Sequence, residues 1–242
     1  MKVIILAAGK GSRLNSETAQ IPKAMRLANG KPLISYVLDT VDFAAKNDTI
    51  IVVGYLKDKI VDAFSEYLFA EQTELKGTGH AVQSAGELLR GYDGPTLILC
   101  GDTPTLKKST IQKLIASHEE MSADCSVLTC KIERDMKLGR VLRNEDGSYK
   151  GILENKDCMP EQRSINEYNT AVYIFDNQKM LAGLEKIKNN NASNEYYLTD
   201  LPAILMSDDG KINVQMIAEP SEILGVNTEE DLAEVEAILK SN

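Results

Sequence analysis

Short, continuously apolar runs alternate along this chain with longer amphipathic ones. Residues 3–6, 49–53, 96–99 and 126–130 are dominated by aliphatic and β-branched side chains, the pattern of strands covered on both faces. Between the first two, residues 32–46 (PLISYVLDTVDFAAK) place apolar positions at i, i+3 and i+4 behind a proline suited to a first helical turn. Residues 78–90 and 109–120 repeat that period, so the first half should wind as alternating β and α elements around a parallel sheet. In such a sheet a ligand sits beyond the C-terminal strand ends, where the turn at 6–13 and Gly101-Asp102 both fall.

From about Gly139 the pattern shortens. RVLR (140–143), the turn signal Glu145-Asp146-Gly147 and YKGILE (149–154) lead through a loop to a further strand over 171–175. The chain closes with amphipathic helices over 198–207 and 228–239, the second opened by cap-type and acidic residues, Asn227-Thr228-Glu229-Glu230. The expected fold is α/β: a Rossmann-like, mostly parallel sheet flanked by helices, with a smaller β-rich lobe. It forms one domain over 1–242, a core of about 1–138 and 198–242 carrying a lobe of about 139–197.

The 242 residues suffice for one substantial core, and no linker, low-complexity tract or repeat divides them. No apolar run is long enough for a membrane span and no leader precedes the first strand, so a cytoplasmic protein is expected. A formal charge of −9 argues against nucleic acid as a partner, which requires a basic face. A local positive field is still compatible with a small anionic ligand. Cys100, Cys125, Cys130 and Cys158 show no zinc-type spacing and read as reduced, mostly buried thiols.

That local field is found at residues 6–26, LAAGKGSRLNSETAQIPKAMR. After the first strand, Ala7, Ala8, Gly9 and Gly11 allow backbone N–H groups to approach phosphate oxygens with no large side chain in the way. Lys10, Arg13 and Lys23 supply cations: the fork of Arg13 suits terminal phosphates, and Lys23 is a point charge that can follow an α-phosphate during transfer. The stretch lacks the third glycine of G-x-G-x-x-G and the spacing of a Walker loop. Asp102, after a buried strand and a glycine, offers a hard oxygen ligand for Mg²⁺, and Asn227 offers an amide oxygen, although an N-cap would serve as well for the latter. Gln72 can donate and accept at once, and Thr78 opens a helix after Gly77. His80 reads as structural.

These residues resemble those of the sugar-1-phosphate nucleotidyltransferases, and within them the uridylyltransferase domain of the bifunctional bacterial enzymes that make UDP-N-acetylglucosamine. The likeness recurs in order in QTELKGTGHA (72–81), Gly101-Asp102, Gly139-Arg140, ENKD (154–157), NEYNT (166–170), NEYYLTD (194–200) and Gly225-Val226-Asn227. It implies that Leu6, Ala7, Ala8, Gly9, Gly11, Gln72, Gly77 and Thr78 bind UTP, with Gln72 and Gly77 reading uracil. It further implies that Asp102 and Asn227 share Mg²⁺, that Arg13 and Lys23 are catalytic, and that Gly139, Glu154, Asn169 and Thr199 hold the sugar 1-phosphate. Three positions depart from the family pattern: Ala171 stands for a glycine, Leu138 for an aromatic and Cys100 for a common tyrosine. A non-catalytic nucleotide-sugar sensor is the rival of another class, and retention of Arg13, Lys23, Asp102 and Asn227 together counts against it. No left-handed β-helix of hexapeptide repeats is legible, so acetyl transfer and the trimer it would build are not expected, and a monomer or small homo-oligomer is.

Overall fold

The computed structural model describes residues 1–11 and 20–241. In chain order the elements are β1 (Lys2–Leu6), the hairpin β2 (Leu27–Ala28) and β3 (Lys31–Pro32), α1 (Leu33–Thr40), β4 (Thr49–Val53), α2 (Lys57–Ala63) and β5 (Leu68–Glu71). Then come α3 (Thr78–Ser84), α4 (Gly86–Leu89), β6 (Pro95–Cys100), α5 (Lys108–Glu120), β7 (Cys125–Lys131), β8 (Arg140–Arg143), β9 (Tyr149–Leu153) and β10 (Glu167–Asp176). The last are α6 (Asn177–Leu184), α7 (Leu201–Ser207), β11 (Ile212–Ile217) and α8 (Glu229–Ser241). Among the described residues no helix is long and apolar enough to cross a membrane.

The main sheet runs β11-β7-β10-β6-β1-β4-β5. β6, β1, β4 and β5 are mutually parallel, which gathers their C-terminal ends on one edge. β1 is buried between β4 and β6, and its alternate side chains enter opposite layers. Val3 and Ile5 pack toward α1 and α5, whereas Ile4 packs with Val82 of α3 and Leu89 of α4. That two-sided burial is why the strand must be apolar without alternation.

The sheet is more mixed than the pattern of the first half suggests. β10 lies antiparallel between β6 and β7, so β7 does not neighbour β6, and the edge strand β11 runs parallel to β7. The same β10 meets the β8–β9 hairpin at Tyr168–Arg140 and thus belongs to the sheet and to the lobe at once. Two helices are shorter than their periodicity. The helix begun at Leu33 stops at Thr40, where the Thr40 hydroxyl donates back to the Tyr36 carbonyl at 2.9 Å and competes with the backbone. The 78–90 pattern breaks at Ala85, ahead of Gly86. The edge strands β5 and β11 escaped the sequence reading because edge positions are only partly buried and lack continuous apolarity.

A third, smaller cluster matters most for the site. Val235 of α8 packs with Leu224 and Val226 against Ala28 and Leu33, fastening α8 to the β2–β3 hairpin. Arg26–Glu229 and the Asn29 backbone N–H bond to Glu236 surround the contact.

Ala171 sits in the register shift between Asn169 and Tyr173 with φ of 59°. A Cβ is costly in that left-handed region. Ala171→Gly is therefore expected to stabilise the fold by about 0.5–1 kcal/mol, the relieved strain exceeding the added unfolded-state entropy. Urea unfolding midpoints check this, and a lower midpoint for the variant would contradict the strain.

Candidate active site

The turn after β1 is held at the C-terminal sheet edge by main-chain bonds. Ala7 N donates to Val52 O at 2.8 Å, Tyr55 N to Ala8 O at 3.2 Å, and Gly101 N to Leu6 O at 2.9 Å. A Cβ on Gly101 would lie 3.3 Å from both Ile5 Cγ2 and Leu6 O, so glycine is what lets the end of β6 run this close to β1. At Gly9 the reason differs: a Cβ there would meet no protein atom within 4 Å, and the space opens toward a cleft. This cleft, of about 280 Å³, is lined by Leu6, Ala7, Ala8, Gly9, Gln72, Gly77 and Thr78, the sequence-derived nucleotide set apart from Gly11. Lys23, Asp102 and Cys100 also face it, as do Ala24, Leu75, Ala81 and Glu195, which the sequence reading did not single out. Arg13 lies outside the described residues.

The wall opposite the turn is a loop locked from within. Gln72 is buried, and its Nε2 donates to Gly77 O at 3.0 Å while standing 3.1 Å from His80 Nδ1. Because a carbonyl can only accept, the nitrogen end of the amide is fixed on that side, and Nδ1 accepts its other hydrogen. Both Gln72 donors are thus spent inside the protein, leaving only Oε1 for a ligand, and His80 is structural in the specific sense of orienting Gln72. Gly77 has φ of 105°, and a Cβ there would strike Tyr196 O at 2.6 Å. Gly79 N bonds Tyr196 O at 2.8 Å and Leu198 N bonds Thr78 Oγ1 at 3.1 Å, so the NEYYLTD stretch braces this loop.

At the mouth of the cleft three residues distant in sequence converge. Lys23 Nζ pairs with the Asp102 carboxylate and donates to Asn227 Oδ1 at 2.8 Å. Lys23 comes from a one-turn 3₁₀ segment, Lys23–Met25, that follows Pro22. Asn227 is aimed by two bonds: its Nδ2 donates to Gly225 O at 3.2 Å, and Val226 N donates to the Asp102 main-chain oxygen at 3.0 Å. The helix cap is Thr228, whose Oγ1 accepts from Asp231 N at 3.1 Å while Asp231 Oδ2 accepts from Thr228 N at 2.9 Å. Asn227 is therefore released from capping, the duty that competed with a metal role in the sequence. Among the described residues no group of three His, Cys, Asp or Glu could hold a metal.

Beyond Asp102 lies a second cavity of about 410 Å³, which shares Cys100 and Asp102 with the first and adds Asn227. Its wall includes Leu138 and Ala171, so all three departures from the family pattern, Cys100 among them, line one space. Gly139, Glu154, Asn169 and Thr199 do not line either cavity. They form two bonded pairs beside it, Asn169 N to Gly139 O at 2.8 Å and Thr199 Oγ1 to Glu154 Oε1 at 3.0 Å. Burial pushes the Glu154 carboxyl above its ordinary value, against the opposing effect of the Thr199 hydroxyl. Arg140, noted in the sequence only as part of the Gly139-Arg140 match, was given no role there. It is fully buried, donates to Asn155 Oδ1 and Leu138 O at 2.7 Å each, and stacks 5.0 Å from the Tyr168 ring, tying the Gly139 and Glu154 segments together. An arginine inside the strand run RVLR was the available signal.

A turn of small residues at the edge of a mixed, mostly parallel sheet, with a lysine set between a carboxylate and an amide oxygen, fits a nucleotidyltransferase. The chain belongs to the MobA-like NTP transferase domain family, whose model matches residues 3–199. It is 38% identical over 239 residues to the bifunctional protein GlmU of Bacillus cytotoxicus, covering 98% of this chain and 51% of that one. It is likewise 38% identical over 240 residues to GlmU of Clostridium acetobutylicum, covering 98% and 52%. The chain thus spans about half the length of the curated relatives it matches. Its fold is shared with a Bacillus anthracis structure named as a glucose-1-phosphate thymidylyltransferase, crystallised with sucrose. The TM-score is 0.81 at 17% identity, over 100% of this chain and 96% of the other.

Cys100 faces both cavities, yet burial first and the Asp102 carboxylate second push its thiol up to about 12, outweighing the opposing Lys23 charge. Thiolate is the reactive form, so the group is protected at neutral pH. Alkylation of Cys100 by iodoacetamide at pH 8, followed by peptide mass, is expected to be at least ~10²-fold slower in the folded protein than in urea. Equal rates would show the thiol to be solvated.

Proposed function

We propose that this chain transfers the uridylyl group of UTP to N-acetyl-α-D-glucosamine 1-phosphate, releasing pyrophosphate. The observation that carries the reading is the meeting of Lys23, Asp102 and Asn227 where a nucleotide-sized cleft and a second cavity join. With the nucleotide in the first and the acceptor in the second, the sugar phosphate oxygen attacks the α-phosphorus and pyrophosphate leaves on the opposite side. A phosphate monoester is already ionised at neutral pH, so no side-chain nucleophile or base is required. Lys23 stabilises charge developing at the α-phosphate. Arg13 is assigned the leaving pyrophosphate on its residue type and position in the sequence. Gln72 Oε1 and the backbone at Gly77 are assigned the uracil imide, and Glu154 and Asn169, which stand beside the acceptor cavity and not on its wall, are assigned the sugar on the family resemblance alone.

Two oxygens within reach of one ammonium nitrogen are also within reach of one small cation, and both are hard donors. Asp102 and Asn227 therefore suit Mg²⁺, which takes few protein ligands and fills its shell from phosphates and water. When bound, it would neutralise the charge of the reacting phosphates. The resemblance of the sequence motifs to the bifunctional enzymes that make UDP-N-acetylglucosamine supports the N-acetylglucosamine acceptor. A second reading, another sugar 1-phosphate, is favoured by one observation: the three departures share the acceptor cavity and place Cys100, Leu138 and Ala171 on its wall.

Pyrophosphate release with a panel of sugar 1-phosphates and each NTP tests both readings. UTP with N-acetylglucosamine 1-phosphate should give the highest kcat/KM, and a preference for CTP or TTP would overturn the uridylyl assignment. Lys23→Ala is expected to lower kcat by at least ~10²-fold in a folded protein. EDTA should abolish turnover and Mg²⁺ restore it, and full activity in metal-free buffer would remove the metal.

A further inference from the structure

The two oxygens assigned above to a divalent cation are already bound by the chain's own cation. Lys23 Nζ lies 2.8 Å from Asn227 Oδ1 and is ion-paired with Asp102 Oδ2, and only 16% of its side chain is exposed. A metal shared by these oxygens would bond them at about 2.0–2.1 Å, in the space the ammonium fills. Two positive charges that close repel strongly in a half-buried site. The oxygens themselves have little freedom to move apart, because Val226 N holds the Asp102 main chain at 3.0 Å and the Asn227 amide is pinned to Gly225 O.

We infer that Lys23 and the metal ion occupy this position by turns. Before substrate arrives, Lys23 is the resident counter-ion of Asp102; metal entry expels it, and the released ammonium turns into the 280 Å³ cleft that it also lines, toward the nucleotide phosphates. The inference rests on the metal assignment proposed above and adds to it a coupling. Apparent metal affinity is reduced by the fraction of molecules in which the two oxygens are free. An anionic ligand that draws Lys23 away raises that fraction, so metal and nucleotide promote each other's binding with no other part of the fold having to move.

The test is Mn²⁺ binding to the nucleotide-free full chain, followed by the electron paramagnetic resonance signal of free Mn²⁺. Lys23→Met should bind Mn²⁺ at least about tenfold more tightly than the unaltered chain, a factor between those of exposed and buried ion pairs. Lys23→Gln, which keeps a polar side chain, should shift in the same direction, and circular dichroism melts establish that each variant is folded. Adding Asp102→Ala to Lys23→Met should remove the binding. Equal affinity with and without Lys23, with Asp102→Ala abolishing both, would overturn the exclusion and leave the metal assignment standing. Affinity indifferent to Asp102→Ala in every background would overturn both.

Discussion

The arrangement depends on how Asp102 is held. Its side chain pairs with Lys23, and its main-chain oxygen accepts the N–H of Val226, so one residue at the tip of β6 gathers segments from both ends of the chain. The two partners are placed differently: Ala24, next to Lys23, is buried in the core against the sheet, whereas Asn227 lies just before α8, which the small apolar cluster fastens to the β2–β3 hairpin. A packing contact remote from the cleft thereby sets a distance inside it, which is how a modest amount of buried surface can fix the position of charge.

Much of this was legible because it is local. The strand ending at Leu6, the small residues after it and the Gly101-Asp102 step each carry their signal within a few positions, and the parallel sheet edge brings them together. Arrangement across the sheet was less so. Nothing in Glu167–Asp176 announces that this strand will insert antiparallel between β6 and β7, since pairing partners far apart in sequence leave no periodic trace. The same applies to Asn227. Taken alone the residue reads as a cap, and a metal role is implied only by the family resemblance; the Thr228–Asp231 box shows that the cap is supplied elsewhere.

Gln72 shows a different kind of gap. Its residue type suggests a two-sided hydrogen-bonding group, but the partner of its donor side, Gly77, is five residues away in a loop whose closure depends on Tyr196. A side chain expected to face outward is half consumed by preorganising the loop that carries it. The residues expected from the resemblance to hold the sugar behave likewise, Gly139 with Asn169 and Glu154 with Thr199, each pair bonded internally beside a cavity whose wall their neighbours form.

The bond between Lys23 and Asn227 spans 204 positions. A growing polypeptide exposes the glycine-rich turn and Lys23 first, builds the sheet next, and supplies Asn227 and α8 only near the end of this sequence. The apolar residues Ala28 and Leu33 therefore wait without their final cover while the intervening residues are made, and contacts of such sequence separation form slowly. The meeting of Lys23, Asp102 and Asn227 is consequently an all-or-none property of the assembled fold, and a partly folded chain that displays the glycine-rich turn would lack it.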